Sequence, residues 1–229
     1  MSIADNLLKY KNELEPNGVT LVAVSKNHPA DAVLAAYEVG QRIFGENLVQ
    51  EMVDKQAQLP QDIYWHLIGH LQTNKVKYIA PFVSLIESVD SLKLLKEINK
   101  HAAKNNRVID CLLQIYIADE ETKFGLGFDE AIELLRDDEF ALLKNVRIIG
   151  LMGIASNQAT EKQTAAEFEE LKVLFDGIKL SFFRKEDSFK EISMGMSGDY
   201  KLAVAHGSTM VRIGSNIFGK RVIKHWKNE

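Results

Sequence analysis

The chain has 229 residues, of which 46% are hydrophobic and 26% charged, with a formal net charge of −4. This composition supports a sizeable core, and no apolar run approaches the ~20 residues of a membrane span. The acidic balance argues against a broad electrostatic footprint for nucleic acid or anionic membrane. The N-terminal stretch alternates apolar and charged residues at helical spacing and lacks signal-peptide features, so a cytoplasmic location is expected. The single cysteine, Cys111, excludes an intrachain disulfide and, inside an apolar run, reads as packed.

Ile3, Leu7, Leu8 and Leu14 predict a leading amphipathic helix over 3–14. LVAV at 21–24 predicts a strand buried on both faces, because no alternating polar face interrupts it. A helix over 31–40 ending in glycine follows, then a strand over 42–45 and a helix over 46–59. A strand over 63–68 is closed by Gly69, and 73–79 is a short basic helix. The segment 82–89 contains the fourth strand, 91–104 a helix, and 108–117 the longest strand candidate. The second half continues with a helix over 128–135, a strand over 146–151 and a long helix over 160–180. A strand from Glu191 to near Met194, a short helix over 200–205 and a strand over 209–213 complete the series. Eight strands alternating with helices, without hairpin signals, predict a single α/β domain over 1–229. Its architecture is expected to be a closed parallel (β/α)8 barrel with an extra N-terminal helix, and an open doubly wound sheet is the alternative.

Where the first strand ends, the sequence changes to Ser25, Lys26, Asn27, His28 and a proline at the start of a helix. A lysine at the end of a buried strand sits at the mouth of the fold, where desolvation disfavours the charged form of an amine. Such an amine attacks carbonyls, and Schiff-base formation with an aldehyde substrate or pyridoxal phosphate suits this placement. A surface lysine snorkelling at a strand end is the simpler alternative. Barrels of this kind commonly hold phosphate in the loops after their last two strands, and both glycine-rich turns of the chain fall there. The first is Ser193 to Asp199, SMGMSGD, in which Ser197 can donate a hydroxyl. The second is Gly207-Ser208-Thr209 entering the last strand, with Arg212, Ile213, Gly214 and Ser215 leaving it. Ordinary turns and caps would look the same one at a time. Barrel closure makes the first and eighth strands neighbours, so Lys26 and a phosphate cradle would lie together, an arrangement suited to pyridoxal phosphate. Arg212 facing the pyridine nitrogen would keep that nitrogen unprotonated; pointing outward, it would form a surface ion pair instead.

These residues carry a resemblance. AVSKNHP at 23–29, FGENLVQE at 44–51, WHLIGHLQTNKVKYI at 65–79 and IESVDS at 86–91 occur in order. Glu121, Lys123 and Gly125 follow, then GLMGI at 150–154, SMGMSGDY at 193–200 and GSTMVRIGSNIFG at 207–219. The ordered set resembles the pyridoxal phosphate homeostasis proteins of the YggS/PROSC-like family, whose single domain is similar to the N-terminal barrel of alanine racemase. The resemblance implies that Lys26 is the Schiff-base lysine, Asn47 a polar pocket residue and Arg212 the partner of the pyridine nitrogen. It implies a phosphate cradle of Ser197, Thr209, Gly214 and Ser215, with His66 and Met194 as pocket walls. Leu67, Tyr116 and Phe124 depart from the family's usual residues, at positions that bear on packing or the pocket rim.

Other signals are weaker. His66 and His70 are four apart, but Gly69 and the strand reading break a helical metal face, and no HExxH pattern occurs. Gly125-Leu126-Gly127 lacks the third glycine of a dinucleotide fingerprint. Lys75, Lys77 and the basic tail RVIKHWK read as solvated positions, and Tyr64, Trp65 and Tyr78 as packing residues rather than base-stacking platforms. Three functions fit. The first is a homeostasis protein that holds pyridoxal phosphate reversibly on Lys26 without robust turnover and delivers it to apoenzymes. The others are a pyridoxal phosphate enzyme such as an amino-acid racemase, and a scaffold regulated by the cofactor. The alanine-racemase route takes its second base from a C-terminal β-domain of the partner subunit. Soon after the eighth strand this chain ends, so the first function and a monomer are expected.

Overall fold

Apolar runs without a polar face become the wall of a closed barrel. The computed structural model describes residues 2–118 and 124–220. Its wall consists of β1 (Thr20–Val24), β2 (Ile43–Glu46), β3 (Tyr64–Leu67), β4 (Leu85–Val89), β5 (Ile109–Ile115), β6 (Val146–Gly153), β7 (Glu191–Met196) and β8 (Met210–Ile213). The eight strands are parallel, follow one another in chain order, and close by pairing β8 with β1. Outside lie α1 (Ile3–Leu14), α2 (Ala30–Glu38), α3 (Val49–Gln56), α4 (Val76–Ile79) and α5 (Leu92–Lys104). The layer continues with α6 (Phe128–Arg136), α7 (Asp138–Ala141), α8 (Glu161–Phe182), α9 (Tyr200–Ala205) and α10 (Ser215–Phe218). The expected (β/α)8 barrel with an additional N-terminal helix is therefore the fold. Among the described residues, no helix is long and apolar enough to cross a membrane.

Because side chains alternate along each strand, the wall feeds two separate apolar clusters. Leu21, Phe44, Trp65, Ile86, Leu113 and Val211 belong to the large cluster shared with the helices. Val22, Leu85, Leu112, Met152 and Met210 form a small one inside the barrel. Two residues further along their strands, inside and nearer the C-terminal mouth, come Glu87 in β4 and Arg212 in β8, both buried. The interior thus changes from apolar to polar one pleat below the mouth.

Helix α1 starts with a capping box: the Ser2 hydroxyl accepts from the Asp5 N–H at 3.1 Å, and the Asp5 carboxylate accepts from the Ser2 N–H at 3.0 Å. Its buried face carries Leu7, Tyr10 and Leu14. The helix is tied to the end of the chain's barrel, since Asn6 Nδ2 donates to the Ile217 carbonyl at 3.1 Å and Asn216 Nδ2 to the Tyr10 hydroxyl at 2.9 Å. Several boundaries differ from the sequence reading. β2 runs one residue further and takes in Glu46, and its helix begins only at Val49. β4 begins at Leu85 because the Phe82 and Val83 N–H groups close the turn after α4 on the Ile79 carbonyl, at 3.0 and 2.8 Å. The four-residue helices α7 and α10 are too short to show a hydrophobic period. If α1 is integral to the core, Leu7→Ala, which empties a fully buried position, lowers the unfolding free energy in urea by about 2–5 kcal/mol.

Candidate cofactor site at the barrel mouth

Lys26 stands two residues beyond the end of β1, half-buried, at the C-terminal mouth. Its neighbours are firmly held. The Ser25 carbonyl accepts from Lys55 Nζ at 2.7 Å, the Ser25 hydroxyl donates to Glu46 Oε1 at 2.6 Å, and the Asn27 N–H donates to Glu51 Oε1 at 2.7 Å. Asn27 adopts the left-handed conformation, with φ of 61°, which turns the chain sharply after the lysine. His28 is buried with its ring centroid 5.2 Å from that of Phe218, and Pro29 caps α2.

Beside Lys26, the end of β8 carries Gly214, Ser215 and Asn216. A Cβ on Gly214 would come within 3.1 Å of the Val24 carbonyl oxygen, so glycine permits this close passage of β8 past β1. The Gly214 N–H donates to the Ser197 hydroxyl at 3.3 Å, and Asn216 Nδ2 donates to the Ser197 carbonyl at 3.1 Å. The turns after β7 and β8 are thereby joined into one cluster of small residues, Ser197, Gly198, Gly214 and Ser215. Asn47 is half-buried on the other flank, just after β2. Its backbone packs against Gly69, where a Cβ would lie 2.8 Å from the Asn47 Cα; the Ser88 hydroxyl fixes this turn by donating to the Gly69 carbonyl at 2.6 Å.

Below the mouth lies the polar layer. Arg212 is 4% exposed; Nη1 donates to the Ser193 carbonyl at 2.8 Å and hydroxyl at 2.6 Å, and Nη2 donates to the Gly153 carbonyl at 2.8 Å. The Ser193 hydroxyl in turn donates to Glu87 Oε2 at 2.6 Å, while Glu87 Oε1 lies 2.8 Å from His66 Nδ1. A carboxylate can only accept, so His66 holds its proton on Nδ1. Glu87 and Arg212 approach to 3.9 Å. Burial alone would raise the Glu87 carboxyl, but His66, Arg212 and Ser193 outweigh it and hold it below the usual carboxylate range. Burial draws Arg212 below the ordinary guanidinium value, opposed by Glu87 and Asp199, and the group stays charged.

Two expected residues are not where the sequence reading put them. Thr209 precedes β8, at the N-terminal end of the barrel, with its N–H on the Ile192 carbonyl and its hydroxyl donating to Glu191 at 2.7 Å. The turn of Gly207, Ser208 and Thr209 therefore lies a strand's length from the small-residue turns at the mouth and cannot share a ligand with them. Met194 belongs to the outer apolar cluster with Tyr200 and Ala203 and is no wall of the interior. Ser193 points inward to Arg212 and Glu87, so strand alternation turns the adjacent Met194 outward. Lys26, Asn47, Ser197, Gly214 and Ser215 gather at the mouth, with His66 and Arg212 beneath. Glu87 and Ser193 were not singled out, although a glutamate amid the apolar residues of LIESV signals a buried carboxylate in need of partners. His66 and His70 go to different carboxylates, the latter 3.2 Å from Asp90, and stacked 4.1 Å from Phe124. Glu121, Lys123 and the basic tail lie outside the described residues.

Residues 1–222 match the family described as alanine racemase, N-terminal domain. The chain is 39% identical over 207 residues to the pyridoxal phosphate homeostasis protein of Aquifex aeolicus, covering 90% of this chain and 88% of that protein. It is 36% identical over 235 residues to that of Escherichia coli K12, covering 96% and 97%. The chain belongs to the pyridoxal phosphate homeostasis protein family. A solved structure of similar fold is PipY of Synechococcus elongatus PCC7942, known with and without pyridoxal phosphate. The form without it superposes with a TM-score of 0.89 at 38% identity, covering 95% of this chain and all of PipY. The form with it gives 0.86 at 37%. Alanine racemase from Bartonella henselae, at 17% identity and a TM-score of 0.69, shares the fold.

In this family member, the buried layer makes a measurable demand. Glu87→Ala leaves Arg212 buried without its carboxylate, and urea unfolding at neutral pH is expected to show a loss of about 3–5 kcal/mol. Because the folded pKa of Glu87 lies below the ordinary 4.5, its contribution is complete above that value and disappears as pH falls through the folded one. The gap between wild type and Glu87→Gln in unfolding free energy should therefore narrow on acidification below 4.5.

Proposed function

We propose that this protein holds pyridoxal 5′-phosphate reversibly as a Schiff base on Lys26 and serves cytosolic cofactor homeostasis without robust catalytic turnover. The observation that carries the reading is the placement of Lys26 beside the small-residue turns across the β1–β8 seam, where Gly214 passes against Val24. The names of the relatives and the cofactor-bound form of PipY support it.

The residues fit the group. Ser215 offers a backbone N–H, and Ser197 and Ser215 offer hydroxyls to a phosphate. The Lys26 amine bonds to the aldehyde carbon and one water leaves; adding that water back frees the cofactor for an apoenzyme. Asn47 and His66 flank the ring, and Arg212 faces its nitrogen.

When bound, the cofactor supplies an electrophilic carbon and a ring that can withdraw electrons. Arg212 limits the second property, because a charged guanidinium can only donate a hydrogen bond and so keeps the ring nitrogen unprotonated. Ser193 and the Gly153 carbonyl lock that guanidinium in place, and Glu87 balances its charge. Holding the cofactor is favoured over driving carbanion chemistry on it.

Adding pyridoxal phosphate to the purified protein should give a visible absorbance band that is absent in Lys26→Ala, and borohydride should fix the cofactor onto Lys26. If wild type and Lys26→Ala both give only the spectrum of free cofactor, the Schiff-base reading is wrong. The cofactor-loaded protein should racemise and transaminate amino acids at well under about 1 per second, the lower end of ordinary enzyme turnover. Rates at or above that value would make it an enzyme.

A further inference from the structure

The side chains that hold the neighbours of Lys26 belong to a second buried ionic group, separate from the Arg212–Glu87 layer. The side chains of Glu46, Glu51 and Lys55 are 0%, 1% and 3% exposed. Lys55 Nζ donates to Glu46 Oε1 at 2.6 Å, to Glu51 Oε1 at 2.8 Å and to the Ser25 carbonyl at 2.7 Å, which uses all three ammonium protons. The two Oε1 atoms also accept from the Ser25 hydroxyl and the Asn27 N–H. Three hydrogen bonds therefore leave the cluster for the β1–α2 turn, and they end on residues 25 and 27, one on each side of Lys26.

This arrangement is a poor choice for stability alone. Two carboxylates share one ammonium, and Oε2 of each is buried without a hydrogen-bond partner. Burial, and then the charge of Glu51, push the Glu46 carboxyl up to about 7 despite Lys55 and Ser25. Apolar residues of the same volume would often serve a core equally well. What apolar residues could not do is grip a backbone carbonyl, a hydroxyl and a backbone N–H around one residue. The grip also holds Asn27 at its φ of 61°, a conformation that costs energy in a residue with a side chain.

We infer that Glu46, Glu51 and Lys55 are positioning residues that clamp the backbone on both sides of Lys26, so that its amine is held where it meets the cofactor aldehyde. The inference rests on the Schiff-base reading. Glu51 and Lys55, on α3, reach the cofactor only through the Lys26 turn, whereas Glu46 ends β2 beside Asn47; Glu51 is therefore the member whose loss isolates the turn from the proposed phosphate and ring contacts. Loosening it should impair capture of the aldehyde and spare recognition of the rest of the molecule.

Pyridoxine 5′-phosphate separates the two, since it keeps the ring and phosphate but carries an alcohol in place of the aldehyde. The preference of the full-length protein for pyridoxal over pyridoxine 5′-phosphate, measured as a ratio of dissociation constants, should vanish in Lys26→Ala. In Glu51→Ala it should fall at least about tenfold, corresponding to about 1.4 kcal/mol, while pyridoxine 5′-phosphate binds as in wild type. Glu51→Gln, whose amide oxygen can still accept from Asn27, should restore most of the preference. Should Glu51→Ala fail to fold, the triple variant Glu46→Met, Glu51→Met, Lys55→Met removes all three charges and all three hydrogen bonds to the turn together and is measured the same way, with a fall in preference expected. An unchanged preference in the folded variants, or equal weakening of both ligands, overturns the positioning role and leaves the Schiff base standing. If Lys26→Ala keeps the wild-type preference, the Schiff-base reading falls and takes the clamp's purpose with it.

Discussion

The mouth of this barrel depends on the pairing of its first strand with its last. The register sets Thr20 beside Met210 and Ala23 beside Ile213, so Ser25 and Gly214 leave the wall side by side. Residues nearly the whole chain apart in sequence become immediate neighbours. Each intervening strand adds to that result, since the ring closes only when eight twisted, tilted strands share a consistent stagger. Closure also leaves no strand edge unpaired, so both lips of the seam are held by ladder hydrogen bonds rather than by loops. The helix that precedes the barrel braces the same seam, because Asn216 joins the Tyr10 hydroxyl to the Ser197 carbonyl.

Inside the ring, polarity is graded along the axis. The apolar layer of Val22, Leu85, Leu112, Met152 and Met210 seals the barrel below the site. Above it, an arginine is kept charged in a nearly dry place, which is tolerable only because every strong group nearby answers another. Ser193 is the hinge of that arrangement, accepting from Arg212 and donating to Glu87. A guanidinium so constrained presents a fixed charge to whatever rests on it. The barrel scaffold shared with racemases at low identity leaves function to such local choices.

Much of this was legible in the sequence, for reasons that particular elements make plain. Wall strands buried on both faces show as runs such as CLLQI, and helices such as α5 announce their period, so the barrel follows from their alternation. Lys26 was visible as an abrupt polar end to an apolar strand. Glu46 was not legible as a strand residue, because only Lys55 and Ser25, distant in sequence, make a buried carboxylate tolerable there. Thr209 was grouped with Arg212 by proximity along the chain, but a turn entering a parallel strand lies at the opposite end of the barrel from one leaving it. Met194 lies on the outer side by plain alternation, because Ser193 beside it faces inward, and only Glu87 and Arg212, distant in sequence, settle which of the two residues does so.

Cys111 gives the protein a built-in reporter. It is the only thiol in the chain, fully buried in β5 with its side chain in the layer between wall and helices. Burial holds the thiol well above its ordinary pKa, so it is both out of reach and undissociated. Reagents that attack thiolates can modify the native molecule only when the wall itself parts. The rate of alkylation at this one atom then counts openings of the barrel directly, and comparing it with and without cofactor reads how far occupancy of the mouth is felt at the strands.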